Sequence, residues 1–289
     1  MAMTDLSRRT LLSGLAATPV FAASGASALG GLGDWTFDAY LNAMGQSGRR
    51  PDLVTRGAFD TIMQRRRYAG QAVEAYLKGK FGRPDEHALR AFNEVPREYF
   101  HYNYAGNFGF GQSAYEGNAH PWAIGYGSAL SDYLGKIYMT QLSKPRPGES
   151  ALEIGTGSGY QISLLSRVVA KALSIEIIEP LGRGVGRIFK PLGYDNVQSR
   201  VGDGYFGWPE EKEGFDIIMV TCVAQHVPPE LLRQLKPGTG RLIIPVGQPF
   251  RREQVLYVFT KDADGKILSR RDVGVYFIPM TGRISQVRA

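Results

Sequence analysis

LEIGTGSGY, residues 152–160, joins a short apolar run ending in an acid to three glycines, Gly155, Gly157 and Gly159, that alternate with Thr156 and Ser158. Glycine admits positive φ and lets a ligand approach the backbone closely, so the stretch reads as a strand followed by a tight, ligand-facing turn into a helix. The same rhythm continues downstream. Apolar strands at 151–154, 173–177, 197–201, 215–220 and 242–246 alternate with helical segments at 160–169, 181–192 and 229–235. Such alternation predicts an α/β fold, a doubly wound and mainly parallel sheet with helices on both faces. Segments 254–260 and 267–278, around the turn Asp262-Ala263-Asp264-Gly265, predict an antiparallel hairpin closing that sheet.

Ligands of open parallel sheets lie beyond the carboxyl ends of the strands, where strand order reverses. The turn 155–159 is the first such place along the chain. Its pattern is E-x-G-x-G-x-G, which differs from the G-x-G-x-x-G of dinucleotide sites and lacks the Gly-Lys-Ser/Thr ending of a phosphate loop. Glu176, closing the second strand in LSIEIIEP, stands where a carboxylate accepts hydrogen bonds from ribose hydroxyls. Asp203, in VGDGY after the third strand, is placed to accept from an adenine amino group. An isolated loop acid is commonly only solvated. Together with Glu153 and the glycines, the two acids instead point to an adenosyl cofactor.

Upstream the texture changes. From Trp35 to about Arg97 apolar residues recur at helical spacing, as in Phe59, Ile62 and Met63 and again in Ala72, Val73, Tyr76 and Leu77. Gly79 to Pro84 marks a helix end and a turn. Arg65-Arg66-Arg67 reads as a solvated helix face rather than a nucleic-acid footprint, so nucleic acid is not expected as a partner. Residues 99–128 are rich in aromatic residues and glycine without clear periodicity. Their apolar area predicts an ordered loop system, either a satellite core or a binding lid.

The first 28 residues differ from the rest: Arg8-Arg9 precedes a mild apolar stretch, 13–26, ending at Ala26-Ser27-Ala28. This resembles a twin-arginine export signal with cleavage after Ala28, and predicts a periplasmic protein with no stable transmembrane span once the signal is removed. Removing Asp5, Arg8 and Arg9 lowers the net charge of +7 by one. A surplus spread along the chain serves solubility. The single cysteine, Cys222, excludes an internal disulfide and a cysteine zinc site, and no metal is expected.

Between Glu94 and Met280 the chain resembles the protein-L-isoaspartate O-methyltransferase family of S-adenosylmethionine-dependent methyltransferases. The matching pieces are VPRE, AYEG, IGYG, LEIGTGSGYQ, SIE, LGYDNV, GDGYFGWPE, FDIIMVT, VPPELLRQLKPG, LIIPVG and FIP, in the family's order. The chain divides into three regions: the signal at 1–28, a helical region at 29–97 and, by the resemblance, a methyltransferase domain at 98–289 with substrate-side loops at 99–135; the signal and the long segment before Glu94 are not part of the family's common pattern. The resemblance implies cofactor contacts at Glu153, Gly155, Thr156, Gly157, Gly159, Glu176, Asp203 and Gly204, with S-adenosyl-L-methionine as cofactor. Ser131 takes the place of the family serine that bonds the substrate carboxylate, and Ala129, Tyr133, Thr221 and Tyr276 fall on the substrate side. The implied partner is a protein or peptide bearing a carboxylate, foremost an L-isoaspartyl residue. Transfer from a sulfonium needs alignment and exclusion of water more than acid–base help, in keeping with His101, His120 and His226 reading as structural or loop residues.

Two departures from the family stand on the substrate side. Gly127-Ser128-Ala129-Leu130-Ser131 replaces the signature Gly-x-Thr-Ile-Ser, with Tyr133 near the family proline, and Tyr276 stands where the family usually has arginine. Three readings follow: an exported isoaspartyl methyltransferase, a methyltransferase retuned to another acceptor, and a non-catalytic assembly subunit of the cell envelope whose N-terminal helices bind a protein partner.

Overall fold

The computed structural model describes residues 35–117, 120–251 and 253–287. The expected export signal lies outside the described residues. Helix α1 (Phe37–Gln46) is capped by Thr36, whose hydroxyl accepts from Ala39 N. Helix α2 (Arg56–Phe81) starts on a Thr55 cap and stops at Gly82, whose φ of +74° ends the helix at the turn read from the sequence. Helix α3 (Glu86–Glu94) begins at Asp85, whose carboxylate accepts from His87 N and Ala88 N. These side-chain oxygens satisfy amide groups left without partners in the first turn.

Helix α2 packs on α3 and on α5 (Tyr133–Ser143), and α3 also meets α6 (Tyr160–Ser166). Trp35, Tyr40 and Phe59 therefore share one hydrophobic cluster with Tyr160, Leu164 and Met219. Tyr99, in the single turn α4 (Arg97–Phe100), donates to Ala43 O at 2.8 Å and packs edge-on against Tyr40. The helical region thus turns an apolar face onto the rest of this chain. Arg66 departs from the expected solvated run: it is 2% exposed and donates to Asn93 O at 2.6 Å, while Arg65 and Arg67 remain exposed. Its place on the inward stripe of α2, level with Ile62 and Ala69, overrides its charge.

The aromatic segment forms two short hairpins, β1 (Tyr102–Asn103) with β2 (Phe108–Gly109), and β3 (Trp122–Gly125) with β4 (Ser128–Leu130). After α5 comes the main sheet, with strands β5 (Ser150–Ile154), β6 (Lys171–Glu176), β7 (Val197–Val201), β8 (Ile217–Val220), β9 (Arg241–Val246), β10 (Gln254–Lys261) and β11 (Ile267–Val275). Their order across the sheet is β11-β10-β9-β8-β5-β6-β7, parallel from β9 to β7 and antiparallel at β10 and β11. The α/β class and the closing hairpin are as the sequence reading has them. Every residue of β5 and β8 is buried, because parallel strands covered on both faces have no solvent side. The order reverses between β5 and β8, so their carboxyl ends open the crevice in which such sheets bind ligands.

Candidate functional site

Beyond that crevice lies a cavity of about 290 Å³. One wall is the turn after β5. Gly155, Gly157 and Gly159 have φ of +90°, +54° and +86°, values that favour glycine over any residue with a Cβ. A Cβ on Gly155 would stand 2.9 Å from Thr221 Oγ1, and one on Gly159 would stand 3.0 Å from Val185 and 3.1 Å from Phe189. Thr221, at the end of β8, donates to Gly155 O at 2.6 Å and so ties the two strand ends together. Glu176, at the end of β6, accepts from Gly157 N at 2.8 Å and from Ile178 N at 3.0 Å. Burial raises its pKa from the ordinary value, offset in part by those amides. Each carboxylate oxygen has a second acceptor position, the requirement for holding a ribose diol.

The opposite wall is the β3–β4 hairpin, with Tyr126, Gly127, Ser128 and Ala129 on the cavity. Ile154, Gly204, Cys222 and residues 278–281 complete the lining. Burial pushes the Cys222 thiol up to about 12, so it stays protonated and apolar.

The sequence-derived residues thus divide. Gly155, Thr156, Gly157, Glu176, Gly204, Thr221 and Ala129 line the cavity together. Glu153 lies beneath it, completely buried, with one oxygen accepting from Ser174 Oγ at 2.8 Å and the other without a partner. Gly159 shapes the start of α6 rather than the lining. The Asp203 carboxylate accepts from Tyr205 N at 2.9 Å and from Arg283 N at 2.7 Å, so here it fastens the C-terminal segment instead of facing the cavity. Tyr133 is turned into a cluster with Phe92 and Tyr115, because its place in the first turn of α5 faces α3. Tyr276 is exposed, outside the lining. Ser131 also lies outside the lining, next to β4, and its carbonyl accepts from Arg97 Nη2 at 2.8 Å.

Two buried groups went unread in the sequence. Arg97, 1% exposed, donates to Ala114 O and Ser131 O and stacks over Tyr160 at 5.0 Å, pinning the hairpin segment to α6. Lys136, 7% exposed, lines the cavity from the second turn of α5. Charge alone gives no sign that either side chain turns inward. His101, 1% exposed and ringed by Phe110 and Trp122, is held neutral by burial, with a pKa near 2. It therefore serves as packing rather than as a base. Among the described residues no group of His, Cys, Asp and Glu is arranged to hold a metal, and no helix is long and apolar enough to cross a membrane.

The family model for protein-L-isoaspartate(D-aspartate) O-methyltransferase matches residues 71–285. The chain belongs to that family. A protein-L-isoaspartate O-methyltransferase 1 of Nitrosospira multiformis is 47% identical over 163 residues, 56% of this chain and 68% of that protein. A protein-L-isoaspartate O-methyltransferase 2 of Shewanella sediminis is 42% identical over 198 residues, 68% of this chain and 77% of that protein. A solved protein-L-isoaspartate O-methyltransferase superposes with a TM-score of 0.64 at 27% identity, covering 76% of this chain and 67% of its own. A Plasmodium falciparum protein crystallised with S-adenosyl-L-homocysteine shares the fold, with a TM-score of 0.59 at 22% identity over 73% of this chain and 97% of that one. The family match begins inside α2. Helix α1 and the first half of α2 therefore add to the methyltransferase domain, and they do so through the shared core around Tyr99.

Proposed function

We propose that this cavity holds S-adenosyl-L-methionine and that the protein methylates a carboxylate of a protein acceptor, foremost an L-isoaspartyl residue. One observation carries the reading: the glycine turn, Glu176 and the β3–β4 hairpin line a single cavity at the reversal point of the sheet. The residues fit the cofactor. The turn presents backbone without Cβ atoms, and Glu176 offers acceptors for a diol. The cofactor supplies the activated methyl group. The chain supplies alignment and a dry pocket, the two things such a transfer needs. Ser131, beside β4, bonds the acceptor carboxylate, while Ala129 and Tyr276 set which acceptor is taken.

Calorimetric titration of S-adenosylmethionine and S-adenosylhomocysteine into ligand-free protein, followed by methyl transfer into isoaspartyl peptides, tests the reading. Micromolar or tighter binding with formation of base-labile methyl esters supports it. Binding without ester formation leaves a methyltransferase for another acceptor, and no binding by folded protein overturns both. The twin arginine at Arg8-Arg9 supports export and a periplasmic place of work. Expression of the full chain with N-terminal mass determination checks this, the expected product starting at Leu29 in the periplasmic fraction.

A further inference from the structure

We propose that Lys136 is the cation that receives a carboxylate in this cavity, from either the amino-acid end of the cofactor or the acceptor. This rests on the methyltransferase reading above and adds to it a residue that neither the glycine turn nor the Ser131 segment supplies. Lys136 is 7% exposed, and its side chain forms part of the cavity wall beside Leu130 and Cys222. Its ammonium makes no hydrogen bond and no ion pair within 4.0 Å among the described residues.

The charged and titratable groups facing it are Glu153, Arg97, Asp132 and Cys222. Asp132 is engaged as the cap of α5, accepting from Gly135 N at 2.8 Å. Cys222 stays a thiol and Arg97 repels. Glu153 is wholly buried; burial pushes its carboxyl up and the Lys136 ammonium down, while each draws the other toward its charged form. None of these groups comes within ion-pair distance, so Lys136 has no negative partner in direct contact. An ammonium taken out of water without one is costly, and an apolar side chain of the same length would be cheaper to bury. A carboxylate entering the cavity removes that penalty and forms a charge-assisted bond.

Lys136→Met keeps an unbranched chain out to Cε and removes the ammonium, so the fold is expected to hold or gain stability. The experiment measures binding of S-adenosylhomocysteine and of its decarboxylated analogue to wild type and to Lys136→Met, and then KM for an isoaspartyl peptide. If the cofactor brings the carboxylate, wild type prefers the carboxylated ligand and Lys136→Met loses that preference. The expected loss is roughly 10- to 100-fold in affinity for S-adenosylhomocysteine, with the analogue unchanged. If the acceptor brings it, cofactor affinity stays put and KM rises at least about tenfold. Lys136→Arg restores part of either effect. Wild type that binds the cofactor, with ligand preference and KM both unmoved in Lys136→Met, overturns this proposal alone. Wild type that binds neither ligand overturns the methyltransferase reading with it.

Discussion

On one side of the cavity the wall is a single turn, residues 155–159. Its shape follows from three positive-φ glycines and from the amide bonds that Glu176 and Thr221 place on it. On the other side the β3–β4 hairpin spans only residues 122–130 and is held by partners far away in sequence. Arg97 reaches Ser131 O, and Tyr104 N donates to Ile124 O at 2.8 Å. The first wall is specified locally, residue by residue. The second depends on whether a buried arginine and the N-terminal helices are in place. Of the departures from the family pattern, Ala129 lies on the hairpin side of the cavity and Tyr276 is exposed outside its lining, so neither belongs to the glycine turn.

Arg97→Ala breaks the comparison most sharply. It strips two carbonyls of their donor and a ring of its cation, and each carbonyl left unpaired costs about 1–3 kcal/mol. Urea unfolding is expected to show that loss, while the protein that remains folded still binds S-adenosylhomocysteine. Loss of cofactor binding in step with folding would show that the two walls are one unit. Gly159→Val is the counterpart on the turn. A β-branched side chain at φ +86° meets Val185 and Phe189 at once, so about 3 kcal/mol of stability is expected to disappear. A wild-type melting curve would mean that the turn tolerates a Cβ.

The unequal legibility of the two walls in the sequence has the same origin. LEIGTGSGY, the acid closing the second strand and the strand–helix alternation are periodic or local signals, and β5, β6 and β8 appear within a few residues of their expected places. Asp203 shows the limit. Its position after β7 is as expected, yet its carboxylate is taken by Arg283 N, 80 residues away, a contact that no local pattern announces. Tyr133 and Arg66 misled in opposite directions. An aromatic expected at the ligand faces the core, and an arginine expected in solvent is buried, because the packing of α2, α3 and α5 decides which helix face points inward.

Smaller effects sharpen the picture. Glu153 binds a proton in the folded state that it releases when unfolded, since burial raises its pKa from 4.5 to about 8 against the opposing pull of Lys136. Its contribution to stability is complete below about pH 4.5 and is lost as pH rises through about 8. Glu153→Gln is expected to flatten that slope in urea midpoints measured from pH 5 to 9, and parallel wild-type and variant curves would show that Glu153 ionises freely. Glu176→Ala is expected to weaken S-adenosylmethionine binding by about 2 kcal/mol, the scale of a charge-assisted hydrogen bond. Unchanged affinity in a calorimetric titration would remove Glu176 from the ligand.

Ser131→Ala carries the smallest expected effect and asks the most of the hairpin wall. The Arg97 bond goes to the Ser131 carbonyl, which the substitution leaves in place. The fold and the glycine turn should therefore be untouched, and any change must come from the hydroxyl. If that hydroxyl bonds the acceptor carboxylate, kcat/KM on an isoaspartyl peptide falls by about 1.5 kcal/mol, the low end for a hydrogen bond to a charged group, while cofactor affinity stays at the wild-type value. Turnover equal to wild type would mean that the acceptor sits deeper, among Ala129, Thr221 and Lys136, and that the hairpin contributes shape there rather than a hydrogen bond.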